Sequence, residues 1–194
     1  MVPIYEKREV VRVRPATTAD GETIRAIRNH AVATSTALWT DTRQSPADAA
    51  AWLAVHLARG SALVAEAGGQ GCESGESGEG GEGGESGESG EIVGFAVYGP
   101  WRDLDGYRHT VENSVYVREG SQGLGIGRAL LGALVDAARA AGHHSMIAGI
   151  ESGNAPSVRL HRRFGFTEVG TVPEAGLKFG RWFDLTLMRL ALEG

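Results

Sequence analysis

Gly120, Gly123, Gly125 and Gly127 crowd one short stretch, and Arg128 follows directly. Backbone N–H groups approach a ligand closely where side chains are missing, and a helix start adds unpaired donors and the positive end of a dipole. Both features are written around these glycines. Val115, Tyr116 and Val117 ahead of them are strand formers, and after them Ile126, Leu130, Ala133, Leu134 and Ala137 recur at helical spacing. A strand, a glycine turn and a helix start make a cradle for phosphate, with Arg128 as a further charge on the anion. The same residues also fit a plain, tight strand-to-helix connection.

Two better-known glycine loops are excluded by spacing. Counted from Gly123, a dinucleotide fingerprint needs a small residue at 128 and meets Arg128; counted from Gly125, it meets Leu130. The Gly-Lys-Ser/Thr triplet of a P-loop does not occur. What remains is Gln122-x-x-Gly125-x-Gly127.

The elements that hold this stretch read off in order. Glu9 to Arg14 alternates valine with charge and predicts a strand; Ile24, Ile27 and Ala31 mark a first amphipathic helix. Ser45, Pro46 and Asp48 open a second helix as N-cap, first helical position and first-turn acid, and Gly60 stops it. Ser61 to Ala67 and Ile92 to Tyr98 are strands, followed by the strand before the glycine turn and the helix after it, which runs to Ala141. His144 to Ile150 predicts a strand, Asn154 to Phe164 a helix, and Phe166 to Val172 a strand; after a loop through Gly176 and Gly180, Arg181 to Leu192 forms the last strand. Strand, two helices, three strands, helix, strand, helix, two strands is a mixed α/β domain around one central sheet. The expected organisation is an N-terminal extension over 1–8 and a single domain over 9–194. Within it, 68–91 is an almost pure Gly/Glu/Ser insertion with nothing apolar to bury, expected as a disordered loop at a hairpin tip.

The formal net charge of -5, with no block of Lys or Arg, argues against nucleic acid or an anionic membrane as partner. No apolar run approaches a membrane span, the N-terminus lacks the apolar core of a signal peptide, and the single cysteine, Cys72, forms no internal disulfide. A cytoplasmic location is expected. No His, Cys or carboxylate spacing suggests a metal site.

The glycine loop, the segment Asn154-Ala155-Pro156-Ser157-Val158-Arg159-Leu160-His161-x-x-Phe164-Gly165-Phe166 and the element order together resemble the GCN5-related N-acetyltransferases. Gly106-Tyr107-Arg108-His109-Thr110-Val111-Glu112-Asn113-Ser114-Val115-Tyr116-Val117 resembles the branch that acetylates phosphinothricin and methionine sulfoximine. Ala148 to Ser152 and Lys178 to Leu185 match that branch too, and the resemblance covers nearly everything from Val13 to Leu192 apart from the insertion. It implies an acyl-CoA N-acyltransferase fold and acetyl transfer from acetyl-CoA to the α-amine of a small amino-acid-like substrate. It places pantetheine along Val115, Tyr116 and Val117, pyrophosphate on Gln122, Gly123, Leu124, Gly125, Ile126, Gly127 and Arg128, and Asn154 beside the cofactor. Relatives are commonly homodimers, so a homodimer is expected.

The reaction needs an acceptor for the ammonium proton, a donor to the thioester oxygen and an exit for the thiolate. Glu112, just ahead of the cofactor strand, matches the family's base position; the bland alternative is a solvated strand-end carboxylate. His161 stands where many relatives in the wider superfamily have a tyrosine that protonates the thiolate, and a packed helix histidine is the equal alternative. The resemblance points to Arg102, Asp103, Leu104, Glu112, Asn113 and Ser114 as substrate contacts, with Arg102 on the carboxyl group. Trp39 and Tyr107 would wall the pocket. Phosphinothricin-specific relatives tend to carry a second base where this chain has Leu104, which favours the methionine-analogue end of the branch. Two other readings remain open: acetylation of another small amine, and a non-catalytic acetyl-CoA-binding module.

Overall fold

The computed structural model describes residues 11–68 and 90–192, so the extension at 1–8, Cys72 and nearly all of the insertion lie outside the described residues. The elements follow the expected order: β1 (Arg12–Pro15), α1 (Gly21–Thr34), α2 (Pro46–Ala58), β2 (Ala62–Ala67), β3 (Glu91–Pro100), β4 (Thr110–Val117), α3 (Ile126–Ala140), β5 (Ser145–Glu151), α4 (Ala155–Arg163), β6 (Thr167–Lys178) and β7 (Arg181–Ala191). The strands form one sheet in the order β1-β2-β3-β4-β5-β7-β6. β2 and β3 pair as a hairpin whose last facing residues are Ala67 and Glu91, so the insertion departs from its tip.

Both faces of the sheet are covered. On one, Ile24 and Ile27 of α1 and Leu53 of α2 pack against Val64, Phe95, Val97 and Tyr116. On the other, Ile126, Leu130, Leu131 and Leu134 of α3 pack against Met146, Ala148 and Met188. The helix starts match their sequence signals: Ser45 and Asp48 form a reciprocal capping box on α2 behind Pro46, and the Asn154 side chain accepts from Ser157 N at 3.1 Å to cap α4.

β1 begins at Arg12 among the described residues, and the expected start at Glu9 lies outside them. The end of β6 differs from the sequence reading. β6 does not end at Val172 but continues to Lys178. Pairing slips between Val172, opposite Leu185, and Gly176, opposite Phe183. The extra residues bulge out, with Glu174 at φ 48 and its N–H held by the Asp184 carboxylate at 2.8 Å. A bulge with Pro173 in it looks like a loop in sequence, yet the strand resumes beyond it.

The feature that makes a site is a split in the sheet. β4 and β5 run parallel and pair only from Thr110–Ser145 to Glu112–Ile147, whereas both strands continue further. Beyond Glu112 they part.

Candidate active site

A groove of about 1100 Å³ lies in the split, walled by α1, β4 from Asn113 to Val117, the glycine loop, the end of β5 and α4. The backbone on the β4 wall is open. Arg118 N–H donates to Val93 O and Thr110 O accepts from Trp101 N–H, so even-numbered residues of β4 point their N–H and C=O toward β3. By alternation, Asn113, Val115 and Val117 point theirs into the split, where no strand pairs with them. Unpaired strand N–H groups in a groove call for a ligand with amide or carbonyl groups.

The glycine loop closes one end. Gly123 and Gly125 sit at φ 83 and 85, left-handed values that an ordinary side chain disfavours. Gln122 holds the turn by accepting from Gly120 N–H at 2.8 Å. The first intrahelical bond of α3 is Ala129 N–H to Gly125 O, leaving the N–H groups of Ile126, Gly127 and Arg128 without helical partners. No acidic residue occupies this first turn. Among the expected cofactor residues, Val115, Tyr116, Val117, Gln122, Gly123, Gly125, Ile126, Gly127, Arg128 and Asn154 line the groove, and Leu124 does not; its side chain is exposed. The cradle therefore fits the pyrophosphate of acetyl-CoA, and the open edge of β4 fits the amides of its pantetheine arm.

The acceptor side is built by alternation on β4. Tyr116 packs with α1 and Phe95, whereas Val115 and Val117 pack with α3, so Glu112, Ser114 and Tyr116 share the α1 face. Glu112 is half-buried. Its Oε1 lies 3.0 Å from where a Cβ on Gly149 of β5 would stand, and Gly149 lines the groove. Burial pushes the Glu112 carboxyl above its ordinary 4.5, and the positive charge of Arg102 opposes the shift. A half-buried carboxylate with a raised pKa is a better match for an ammonium proton than an exposed one.

His161, buried on α4, lies across the groove wall. Its Nδ1 is 2.9 Å from Ser157 O, a carbonyl that only accepts, so Nδ1 carries a proton. Burial lowers its pKa below 6.5, keeping the ring neutral with its lone pair on Nε2. Nε2 faces the Asn113 amide at 3.3 Å, and the Asn113 NH₂ is otherwise buried without a partner. Both demands are met when the amide turns its NH₂ toward Nε2. In its resting form His161 is thus an acceptor; to give a proton to a thiolate it must first gain one at Nε2.

Of the other expected substrate residues, Trp39, Arg102, Asp103, Leu104 and Tyr107 do not line the groove, and Glu112 meets it only through its contact with Gly149. Arg102, Asp103 and Leu104 are exposed on the β3–β4 connection, Leu104 by 70 %. The Arg102 guanidinium lies 4.9 Å from the centre of the Trp101 ring, against which Tyr107 packs edge-on at 5.2 Å. Trp39 turns to the β6–β7 hairpin. It stacks on Phe183 at 6.4 Å, and a side chain at Gly176 would overlap its ring. Asn113 and Ser114 do line the groove, as expected.

Three residues escaped the sequence reading. Gly149 interrupts a strand, a signal of close approach. Arg28 puts a charge one turn after Ile24 on the packed side of α1. Lys178 enters the sequence reading only as the first residue of a segment matching the branch; its ammonium is buried against Val32 O at 2.7 Å, Thr40 O and Asp41 Oδ1 at 3.1 Å, tying the hairpin tip to the end of α1 and the loop after it. Among the described residues no group of His, Cys, Asp and Glu is placed to hold a metal, and no helix is long and apolar enough to cross a membrane.

The profile of the Acetyltransferase (GNAT) family matches residues 83–166. The L-methionine sulfoximine/L-methionine sulfone acetyltransferase of Pseudomonas aeruginosa is 43% identical over 93% of this chain and 94% of its own length. The phosphinothricin N-acetyltransferase of Streptomyces viridochromogenes is 35% identical over 92% and 86%. An acetyltransferase of Salmonella typhimurium, solved with its cofactor acetyl-CoA, superposes with a TM-score of 0.81 at 41% identity over 94% of both chains.

Proposed function

The chain belongs to the acetyltransferase (GNAT) family, and on that premise we propose that it acetylates the α-amine of small amino-acid analogues as a detoxifying enzyme, L-methionine sulfoximine and L-methionine sulfone ahead of phosphinothricin. It is an acetyl-CoA-dependent N-acetyltransferase. The observation that carries the reading is Glu112, whose half-buried carboxylate lies over Gly149, a residue lining the groove whose other features suit acetyl-CoA.

Acetyl-CoA supplies an acyl thioester. The N–H groups of Gly123 to Arg128 hold its pyrophosphate, and those of Val115 and Val117 hold its amide groups and the thioester oxygen as negative charge develops there. Arg102, whose charge acts on Glu112, takes the acceptor carboxylate, so that ammonium and carboxylate lie side by side. Glu112 removes one ammonium proton, directly or through a water. The amine nitrogen then bonds the carbonyl carbon, the C–S bond breaks, and the second nitrogen proton is lost as the amide forms. The thiolate takes up a proton, for which His161 Nε2, once protonated, is a source.

The exposed, apolar Leu104 beside Arg102 supports a neutral acceptor side chain. A cytoplasmic location and a homodimer are part of the reading. The exposed edge strand β6, with Val169, Val172 and Leu177, offers a self-complementary surface for a second copy, and a light-scattering mass of one chain at assay concentration removes that part.

The test is acetyl-CoA-dependent thiol release against methionine sulfoximine, methionine sulfone, phosphinothricin, glutamate, methionine, spermidine and a lysine peptide, beside Glu112→Gln. Turnover of the sulfoximine and sulfone, reduced about 10²- to 10⁴-fold in the variant, supports the reading. Turnover confined to spermidine or the peptide overturns the acceptor class.

A further inference from the structure

We propose that Glu151, at the end of β5, selects the acceptor by taking a hydrogen bond from an N–H at the far end of its side chain, which favours a sulfoximine over a sulfone or a phosphinate. The inference rests on the amino-acid reading above and refines it. Ala148 and Ile150 pack in the core with α3, so by alternation Gly149 and Glu151 turn to the other face of β5, where Glu112 meets Gly149. A contact with the loop after α1 agrees: Thr36 Oγ1 donates to Glu151 Oε2 at 3.3 Å. Gly149 and Glu151 both line the groove.

Two carboxylates line the groove, and their partners differ. Glu119 meets His30 Nε2 at 2.6 Å. Glu151 meets neutral donors: besides Thr36, Gly153 N–H donates to its Oε1 at 2.6 Å. These two bonds fix the carboxylate and use one lone pair on each oxygen, so each oxygen can still accept another donor. A carboxylate held in this way favours a ligand that brings an N–H and disfavours one that brings oxygen lone pairs or negative charge. Its position matches the length of the acceptor. The amine reacts beside Glu112, whose Oε1 lies 3.0 Å from the Cβ position of Gly149, and Glu151 stands two residues further along the same face. That step is about 6–7 Å along a strand. From the amine of methionine sulfoximine to its second nitrogen is five bonds, an extended reach of roughly 6 Å. The sulfoximine sulfur carries one oxygen and one N–H at that end. The sulfone carries two oxygens there and no donor, and phosphinothricin carries an anion. Glu151 therefore sorts acceptors that are alike at the amino-acid head by the donor or acceptor character of their far end.

The experiment compares kcat/KM for methionine sulfoximine, methionine sulfone and phosphinothricin in wild type, Glu151→Gln and Glu151→Asp, with acetyl-CoA affinity and melting temperature as controls. Glu151→Gln, whose amide can donate to oxygen, is expected to lower the sulfoximine-to-sulfone ratio about ten- to a hundredfold, mostly through KM. The same variant is expected to gain on phosphinothricin, and a gain cannot come from a damaged fold. Glu151→Asp, which keeps the charge, is expected to retain part of the sulfoximine preference. If Glu151 only ties the β5–α4 turn to Thr36, all three acceptors fall together. An unchanged sulfoximine-to-sulfone ratio in Glu151→Gln therefore overturns the proposal while the amino-acid reading stands. A wild type that turns over only polyamines or peptides overturns both.

Discussion

Gly149→Ala tests the placement of the base without touching it. The new Cβ would stand 3.0 Å from Glu112 Oε1 and 3.4 Å from Leu185 Cδ1. An ordinary carbon–oxygen contact is about 3.3–3.6 Å, so the carboxylate must retreat by a few tenths of an ångström. Misplacement of a reacting group by about 1 Å costs on the order of a hundredfold, which scales to roughly a three- to tenfold fall in kcat here. Gly149 is solvent-exposed within β5, so folding is expected to change by less than about 1 kcal/mol. Acetyl-CoA affinity is measured beside it, because Gly149 itself lines the groove while the glycine cradle is untouched. The assay is steady-state thiol release with methionine sulfone, run also in the Glu112→Ala background. There the clash has no partner, so Gly149→Ala is expected to add almost nothing. Wild-type kcat in Gly149→Ala, or an equal loss in both backgrounds, refutes the contact as the cause.

Burial raises the Glu112 pKa and Arg102 lowers it, so the acid limb of kcat/KM lies above 4.5 and moves to higher pH in Arg102→Gln; a limb that stays put shows that the pair is uncoupled. Lys178→Met strips the donor from Val32 O and Thr40 O in a place only 1% exposed. It is expected to cost about 2–4 kcal/mol, read as a melting temperature about 5–10 °C lower. His56, His143 and His161 all have pKa values lowered from 6.5 by burial. Each stays neutral when folded while the unfolded chain gains a proton, so stability is full above pH 6.5 and is lost as pH falls toward the native values; equal urea midpoints at pH 8 and pH 5 would contradict this.

Local pattern determined the elements of this protein. Helical periodicity marks α1 and α3, the Ser45–Asp48 box starts α2, and a strand–glycine–helix order announces an anion cradle because its donors are backbone groups only a few residues apart. Resemblance to known acetyltransferases points to Glu112, His161 and the cofactor strand from sequence alone. What local pattern does not carry is where strands stop pairing. That β4 and β5 part after Glu112 and Ile147 is visible only in the assembled sheet, and the groove lies where they part. The same holds for groups distant in sequence that meet in space: Glu112 over Gly149, Asn113 against His161, and Lys178 at the end of α1. Trp39 shows the converse. Its aromatic side chain suits a pocket wall, but the space above Gly176 is what it fills, and an empty Cβ position is a property of the folded sheet, invisible in the order of residues along the chain.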